Sequence, residues 1–159
     1  MDATNAQTAS APPAPEAAGR ARSLTDLWEQ DHASQWLGMA LLEVGAGHSR
    51  VSMRVTPQMA NGHGICHGGL IFALADSAFA FASNSRGGSV VAAGAVVDFL
   101  SPARVGEELE AVASERHLAG RNGIYDVTVR ESRSQRRVAE FRGRSRKIAE
   151  ARPLTPGPG

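Results

Sequence analysis

A single carboxylate, Asp76, interrupts a long apolar segment and limits what this chain can fold into. Residues 67–84 are mainly Ala, Leu, Phe and Gly, and apolar side chains occur all round the helical wheel, which predicts a buried helix. An ionised carboxylate in such a helix costs free energy unless it is paired, hydrogen-bonded or facing a cleft. The fold must therefore enclose this helix and still give Asp76 a polar partner or an opening.

Two glycines, Gly68 and Gly69, lie at the predicted start of this helix. The first turn of a helix leaves backbone N–H groups without intrahelical acceptors, and these groups favour negative charge. Glycine has no Cβ, so a ligand can approach the backbone closely. A lone acid combined with backbone donors at a helix start indicates acyl chemistry, in which negative charge develops on a carbonyl oxygen.

The rest of the chain predicts strands around this helix. Ser23, as N-cap, and Asp26 begin a short helix that we expect to run to about Ala33. Alternating apolar and polar residues predict a β-hairpin and three later strands, whereas residues 89–99 lack alternation and predict a strand covered on both faces. The predicted strands are 38–44, 49–55, 89–99, 107–118, 123–132 and 136–147. This order predicts an α+β fold in which one antiparallel sheet wraps around a long central helix.

The chain of 159 residues has the length of one domain. We expect the domain to span 23–149, between tails at 1–22 and 150–159 that have too few bulky apolar residues to fold. Cys66 is the only cysteine, which excludes an internal disulfide and favours a reducing compartment. The net charge is +1, and the pattern shows no secretory signal and no uninterrupted membrane-length run. We therefore expect a cytoplasmic protein that binds neither membrane nor nucleic acid.

Two motifs carry a family resemblance. Residues 61–69 read Asn-Gly-His-Gly-Ile-Cys-His-Gly-Gly, and residues 74–77 read Leu-Ala-Asp-Ser. Together with residues 97–107, they resemble the signature of hotdog-fold thioesterases, most of all the phenylacetic acid degradation (PaaI-type) acyl-coenzyme A thioesterases, over about residues 24–148. The resemblance implies a hotdog fold and hydrolysis of an aryl- or arylacetyl-coenzyme A, as in phenylacetate degradation, with no cofactor.

The resemblance also implies how the site is assembled. Family members form a homodimer with the thioester at its interface, and two dimers commonly form a homotetramer. By matching position, the Gly68 N–H donates to the thioester oxygen, Asn61 orients or polarises the thioester, and Asp76 of the opposite subunit is nucleophile or general base. The helical rise places Asp76 about 12 Å beyond Gly68, which agrees with a site shared across a two-fold axis.

The two histidines and the cysteine of the motif have other interpretations. His67 is a candidate base, although its position beside Gly68 favours a role in fixing the loop or in packing. His63, Cys66 and His67 do not have the spacing of zinc-binding clusters, so we expect no metal. Cys66 and His67 are adjacent, which does not suit a thiol nucleophile pair.

The group that positions the attacking water is left open by the sequence. Ser77 and Ser83 are candidates. Some relatives place a hydroxyl in the strand after the helix, but residues 92–95 contain only Ala and Gly.

Three arginines, Arg86, Arg104 and Arg121, are candidate contacts for the coenzyme A phosphates, because guanidinium matches phosphate geometry. Two other functions stay open at this point. One is a hotdog dehydratase acting on 3-hydroxyacyl thioesters, which needs a His base such as His67. The other is a non-catalytic module that binds acyl-coenzyme A.

Overall fold

A computed structural model describes residues 23–148 of the chain. The predicted tails at 1–22 and 150–159 and the last domain residue, Ala149, lie outside the described residues. The helices are α1 (Leu24–Glu29), α2 (His32–Trp36) and α3 (Gly68–Asn84), with a 3-10 turn at Pro57–Met59. The strands are β1 (Met39–Gly45), β2 (His48–Arg54), β3 (Val90–Phe99), β4 (Glu108–Ala119), β5 (Asn122–Glu131) and β6 (Arg137–Lys147).

The predicted buried helix is confirmed as α3. It packs against the six-stranded antiparallel sheet, whose strand order is β1-β2-β4-β5-β6-β3. The fully buried side chains of α3 include Leu74, Ala75 and Ala78. A second stripe, which includes Ala73, Asp76 and Ala80, is only half-buried. The α+β arrangement of one sheet around one long helix is therefore confirmed, and Asp76 lies on the side of α3 that the sheet covers least.

An aromatic cluster fixes α3 against the sheet. The Phe79 ring lies 5.5 Å from Tyr125 and 5.9 Å from Phe141, measured between centroids. Gly143 on β6 makes this approach possible, because a Cβ there would lie 2.8 Å from the Phe79 ring. Contact that close would require the helix or the strand to move. The site residues of α3 are thus held on a rigid core.

The prediction of one N-terminal helix from Ser23 to about Ala33 is wrong. The capping box is confirmed, since Ser23 Oγ accepts from the Asp26 N–H at 3.0 Å and Asp26 Oδ2 accepts from the Ser23 N–H at 3.1 Å. However, α1 ends at Glu29, and Asp31 then caps α2 by accepting from the Ser34 N–H at 3.0 Å. A second cap outcompetes continuation of the first helix.

The prediction that residues 89–99 are covered on both faces is also wrong for the single chain. β3 is an edge strand that pairs only with β6, and most of its residues are exposed. Val91, Val96 and Phe99 are 45%, 63% and 54% exposed. An apolar edge strand of this length is a surface on which another strand can pair.

The hairpin and the three alternating strands follow the prediction closely. β1 and β2 pair from Met39 opposite Met53 to Gly45 opposite His48, and β4, β5 and β6 form a continuous antiparallel meander. Within residues 23–148, no helix is both long and apolar enough to span a membrane.

Candidate active site

Two cavities lie beside α3, one at its N-terminus and one midway along it. The N-terminal cavity, of about 410 Å³, is lined by Asn61, Gly68, Phe99 and neighbouring residues of the loop that follows β3. The second, which we call the Asp76 cavity, has a volume of about 360 Å³ and reaches the first residues of β3, Val90–Ala92. The two cavities are thus adjacent to opposite ends of the same edge strand.

The backbone N–H of Gly68 is an available donor in the N-terminal cavity. Gly68 is the first residue of α3, and its N–H has no hydrogen-bond acceptor among residues 23–148. The next N–H, of Gly69, is already used, because it donates to His67 Nδ1 at 3.0 Å. A Cβ on Gly68 would lie 3.1 Å from the Phe99 ring, so glycine leaves room for both that ring and a ligand.

His67 is the N-cap of α3. Its Nδ1 is the acceptor for Gly69, so the neutral ring carries its proton on Nε2. Taking up a proton at Nδ1 would break the cap. The side chain is exposed, and the structure places His67 where it fixes the start of the helix and the orientation of the Gly68 peptide. Among residues 23–148, no group of three or more His, Cys, Asp or Glu side chains is arranged to hold a metal ion.

Asn61 has both a structural contact and an available donor. Its Oδ1 accepts from the backbone N–H groups of His63 and Ile65 at 2.9 and 3.4 Å, which closes the turn before α3. These contacts fix the side-chain oxygen on the turn and leave the Nδ2 donors without an acceptor within residues 23–148. Asn61 and Gly68 therefore present two N–H sources to the same cavity.

The Asp76 carboxylate is half-buried and makes no hydrogen bond or ion pair with any described residue. Burial raises the pKa of Asp76 above its usual value, and the nearby carboxylate of Asp31 raises it further. An acid held without a structural partner in a cavity, with increased basicity, has the properties of a functional group rather than a fold-stabilising one. The cavity also has an apolar wall that includes Phe79, Ala80 and Val91.

The two candidate water-binding serines have their protons engaged. Ser83 Oγ donates to the Ala80 carbonyl at 3.1 Å, and Ser77 Oγ lies 2.8 Å from Ser34 Oγ. Each retains lone pairs that can accept from water. Of the two phenylalanines nearest Asp76 on this helix, Phe79 lines the Asp76 cavity, whereas Phe72 packs against Phe141 with centroids 5.3 Å apart.

The three arginines do not form one group. Arg86 and Arg121 line a small cavity of about 130 Å³ together with Lys147, at the end of the sheet near the start of β3. Arg86 is held by a two-point ion pair with Glu115, with N–O distances of 3.0 and 3.1 Å. Arg104 lies at the other end, bridged through its backbone to Ile65 of the N-terminal cavity.

Sequence reasoning missed two features of the site. One is Phe99, whose ring lies against Gly68. The only sequence signal for Phe99 is its position within the 97–107 motif. The other is Asp31, which lines the Asp76 cavity although it is 45 positions earlier in the chain. Its sequence signal is that of a helix cap, an Asp followed three residues later by Ser34.

Comparison with known proteins is consistent with this geometry. The family model described as "Thioesterase superfamily" matches residues 63–137. The acyl-coenzyme A thioesterase PaaI of Escherichia coli K12 is 43% identical over 122 residues, which are 77% of this chain and 86% of that protein.

Solved structures agree. The E. coli PaaI protein from the phenylacetic acid degradation operon superposes with a TM-score of 0.77 at 41% identity, covering 79% of this chain and 91% of that one. A mutant of the phenylacetic acid degradation protein PaaI from Thermus thermophilus gives 0.71 at 36% identity, covering 74% and 100%.

Proposed function

The chain belongs to the thioesterase superfamily, and within it to the PaaI-type acyl-coenzyme A thioesterases with the hotdog fold, and on that basis we propose that it hydrolyses arylacetyl-coenzyme A thioesters. The products are the free acid and coenzyme A, and phenylacetyl-coenzyme A or a ring-hydroxylated analogue is the proposed substrate. The apolar wall of the Asp76 cavity, with Phe79 and Val91, supports an aromatic acyl group.

The active site is proposed to form only in a homodimer. The observation that carries this proposal is the placement of the two cavities at opposite ends of the exposed edge strand β3. A two-fold axis pairs an edge strand with its own copy in the antiparallel direction. Phe99 of one subunit then lies opposite Val90 of the partner subunit, and the N-terminal cavity of one chain meets the Asp76 cavity of the other.

The exposed apolar residues of β3 support the same pairing. Val91, Val96 and Phe99 are costly in water and would be covered by a second sheet edge. Within one chain, Gly68 and Asp76 are about 12 Å apart along the α3 axis, so one subunit does not bring both to a single carbonyl. In the dimer, Gly68 and Asn61 of one subunit face Asp76 of the partner subunit.

The proposed reaction begins with the thioester carbonyl oxygen on the free N–H of Gly68, with Asn61 Nδ2 as a second donor. Asp76 of the partner subunit removes a proton from water, and the water oxygen bonds to the carbonyl carbon. The carbonyl electron pair moves to the oxygen, where the N–H groups stabilise the charge. The intermediate collapses by breaking the C–S bond, and coenzyme A leaves as the thiolate. Direct attack by Asp76, giving an anhydride that water then cleaves, uses the same groups.

His67 supports this reaction from the helix start, where its cap on Gly69 orients the Gly68 peptide. The proposed phosphate contacts are Arg104 beside the N-terminal cavity and, across the dimer interface, the basic cavity of Arg86 and Arg121 of the partner subunit. Arg121 is the better donor of that pair, because Glu115 already binds Arg86 at two points. We further propose a homotetramer of two such dimers and a cytoplasmic location.

The experiment incubates the purified protein with a panel of acyl-coenzyme A thioesters while free thiol is followed. Phenylacetyl-coenzyme A is expected to release thiol fastest, and Asp76→Ala and Asp76→Asn are expected to lose most of the rate. The matched control is Glu29→Gln, which removes one negative charge from an exposed position of α1. Absence of thiol release with every substrate would contradict the proposal. An unsaturated product without thiol release would instead indicate the dehydratase, and labelled water under single turnover separates water attack from the anhydride.

A further inference from the structure

A polar chain ties the short helix α2 to the middle of α3. Ser34 is 2% exposed, and its hydroxyl lies 2.7 Å from Asp31 Oδ2 on one side and 2.8 Å from Ser77 Oγ on the other. Asp31 Oδ1 also accepts from the Ser34 N–H at 3.0 Å. Both oxygens of Asp31 are therefore held by a buried residue, and the position of this carboxylate is fixed relative to α3.

The direction of each hydrogen bond in this chain follows from the carboxylate. An ionised carboxylate only accepts, so Ser34 must donate its single hydroxyl proton to Asp31. Ser77 must then donate its own proton to Ser34. Ser77 therefore has no proton left for its sequence neighbour Asp76, which remains without a donor.

Asp31 and Asp76 line the same cavity. The other residues of that cavity are uncharged: Leu27 on α1, Gln30 directly after α1, Phe79, Ala80, Phe81, Ser83 and Asn84 on α3, and Val90, Val91 and Ala92 on β3. Asp31 is thus the one titratable neighbour that Asp76 has from any element around the cavity within residues 23–148. In the proposed dimer, His67 of the partner subunit is the titratable group at the start of the facing helix.

We propose that Asp31 is a positioning residue for the reaction of Asp76: α2 brings a second carboxylate into the cavity of the reacting acid, and the chain through Ser34 and Ser77 holds it there. This inference rests on the proposed thioesterase function. Two like charges in one partly desolvated cavity disfavour the state in which both are ionised. Asp31 is held by two donors from Ser34, whereas Asp76 has none and is the group whose proton affinity rises.

The structure gives this effect a direction. Burial is the larger cause of the raised pKa of Asp76, and the charge of Asp31 raises this pKa further. A stronger base takes a proton from water more readily, or attacks a carbonyl more readily, than an ordinary aspartate at the same position. Neutralising Asp31 should lower the pKa of Asp76 and weaken it as a base, without removing any group that touches the thioester.

The test compares pH profiles of kcat/KM for the full-length wild type, Asp31→Asn and Asp31→Ser. Asn and Ser both cap helices well, so α2 is expected to survive in each variant, which thermal melting checks. The matched control is Glu29→Gln, two positions earlier and exposed. The acidic limb of the profile is expected to move to lower pH in both Asp31 variants and to stay in place in Glu29→Gln. A purely structural role for Asp31 would lower the rate equally at every pH.

A carboxyl titration by 13C NMR gives a second readout that needs no turnover. The Asp76 resonance, identified by its loss in Asp76→Asn, is expected to titrate at lower pH in Asp31→Asn than in the wild type. Identical Asp76 titrations in the wild type and both Asp31 variants would overturn the inference, as would an equal displacement in Glu29→Gln. If the wild type released no thiol from any substrate, the proposed function would fail, and the NMR titration would still decide whether the two acids are coupled.

Discussion

Gly68→Ala tests the oxyanion donor with the smallest possible change. The new Cβ would lie 3.1 Å from Phe99 Cζ and 3.4 and 3.5 Å from the two Cε atoms. A contact of 3.1 Å requires a displacement of a few tenths of an ångström. Phe99 is 54% exposed at the end of an edge strand, so its ring can move in the isolated chain. The backbone of Gly68 is not in the left-handed region and accepts alanine.

The expected effect on stability is small and the expected effect on activity is large. Alanine favours a helix over glycine by up to about 1 kcal/mol, which offsets the tight contact, so the free energy of unfolding should change by less than about 1 kcal/mol. The methyl group and the displaced ring both enter the cavity where the thioester oxygen is proposed to bind. Alanine keeps the backbone N–H, so the loss comes from displacing the thioester oxygen, and a misplacement of about 1 Å costs about 100-fold in rate.

The assay follows thiol release from phenylacetyl-coenzyme A, with thermal melting of the same samples. Gly62→Ala is the matched control, because a Cβ at this nearby glycine meets nothing within 4 Å and its backbone is not left-handed. We expect Gly68→Ala to lose about 100-fold in kcat/KM at a nearly unchanged melting temperature, and Gly62→Ala to retain wild-type activity. Wild-type activity in Gly68→Ala would contradict a close approach of the thioester to the Gly68 backbone, and an equal loss in Gly62→Ala would show that the loss is not specific to this cavity.

Three further predictions follow from individual side chains. Asp76→Asn should lower kcat by about 100- to 10,000-fold. The same variant should raise the melting temperature at neutral pH, because the pKa of Asp76 is raised in the folded state and ionisation of Asp76 therefore destabilises the fold. This gain in melting temperature should disappear as the pH falls below the pKa that Asp76 has in the unfolded state. Leu74→Ala, at a position with no exposure, should lower the free energy of unfolding by about 2–5 kcal/mol in urea titrations, and a smaller loss would indicate that the core collapses around it. Hydrogen bonds from Ser134 and the backbone lower the pKa of Glu131 to about 2. Glu131→Gln should therefore lower the free energy of unfolding at neutral pH, and this loss should shrink as the pH falls from the usual glutamate pKa towards 2. A loss that does not change with pH would contradict this.

The sequence predicts those parts of the fold that depend on local pattern. The apolar wheel of residues 67–84, the alternation in the later strands and the capping box at Ser23 each determine structure through neighbours a few residues away. The positions of Asp76 and Gly68 on one helix follow in the same way, because both lie within α3.

Contacts between distant segments could not be predicted in this way. Arg86 is a free cation in the sequence, but the fold places it against Glu115, 29 positions away. Asp31 reads as a helix cap, and only the packing of α2 on α3 places it in the cavity of Asp76. Apolar residues in β3 predict a strand covered on both faces, whereas the chain leaves this strand at an edge of the sheet. Composition does not distinguish a strand that its own chain covers from a strand that a second chain, such as the partner in the proposed dimer, would cover.

Mixed dimers test whether each active site takes Asp76 from one subunit and Gly68 and Asn61 from the other. Asn61→Ala and Asp76→Asn, each nearly inactive alone, are unfolded together and refolded to exchange subunits. Half of the dimers are then mixed, and each mixed dimer contains one site with both wild-type groups. Thiol release should therefore recover to about a quarter of the wild-type rate. Activity that stays at the level of the separate variants, with subunit exchange confirmed by native mass spectrometry, would contradict the shared site.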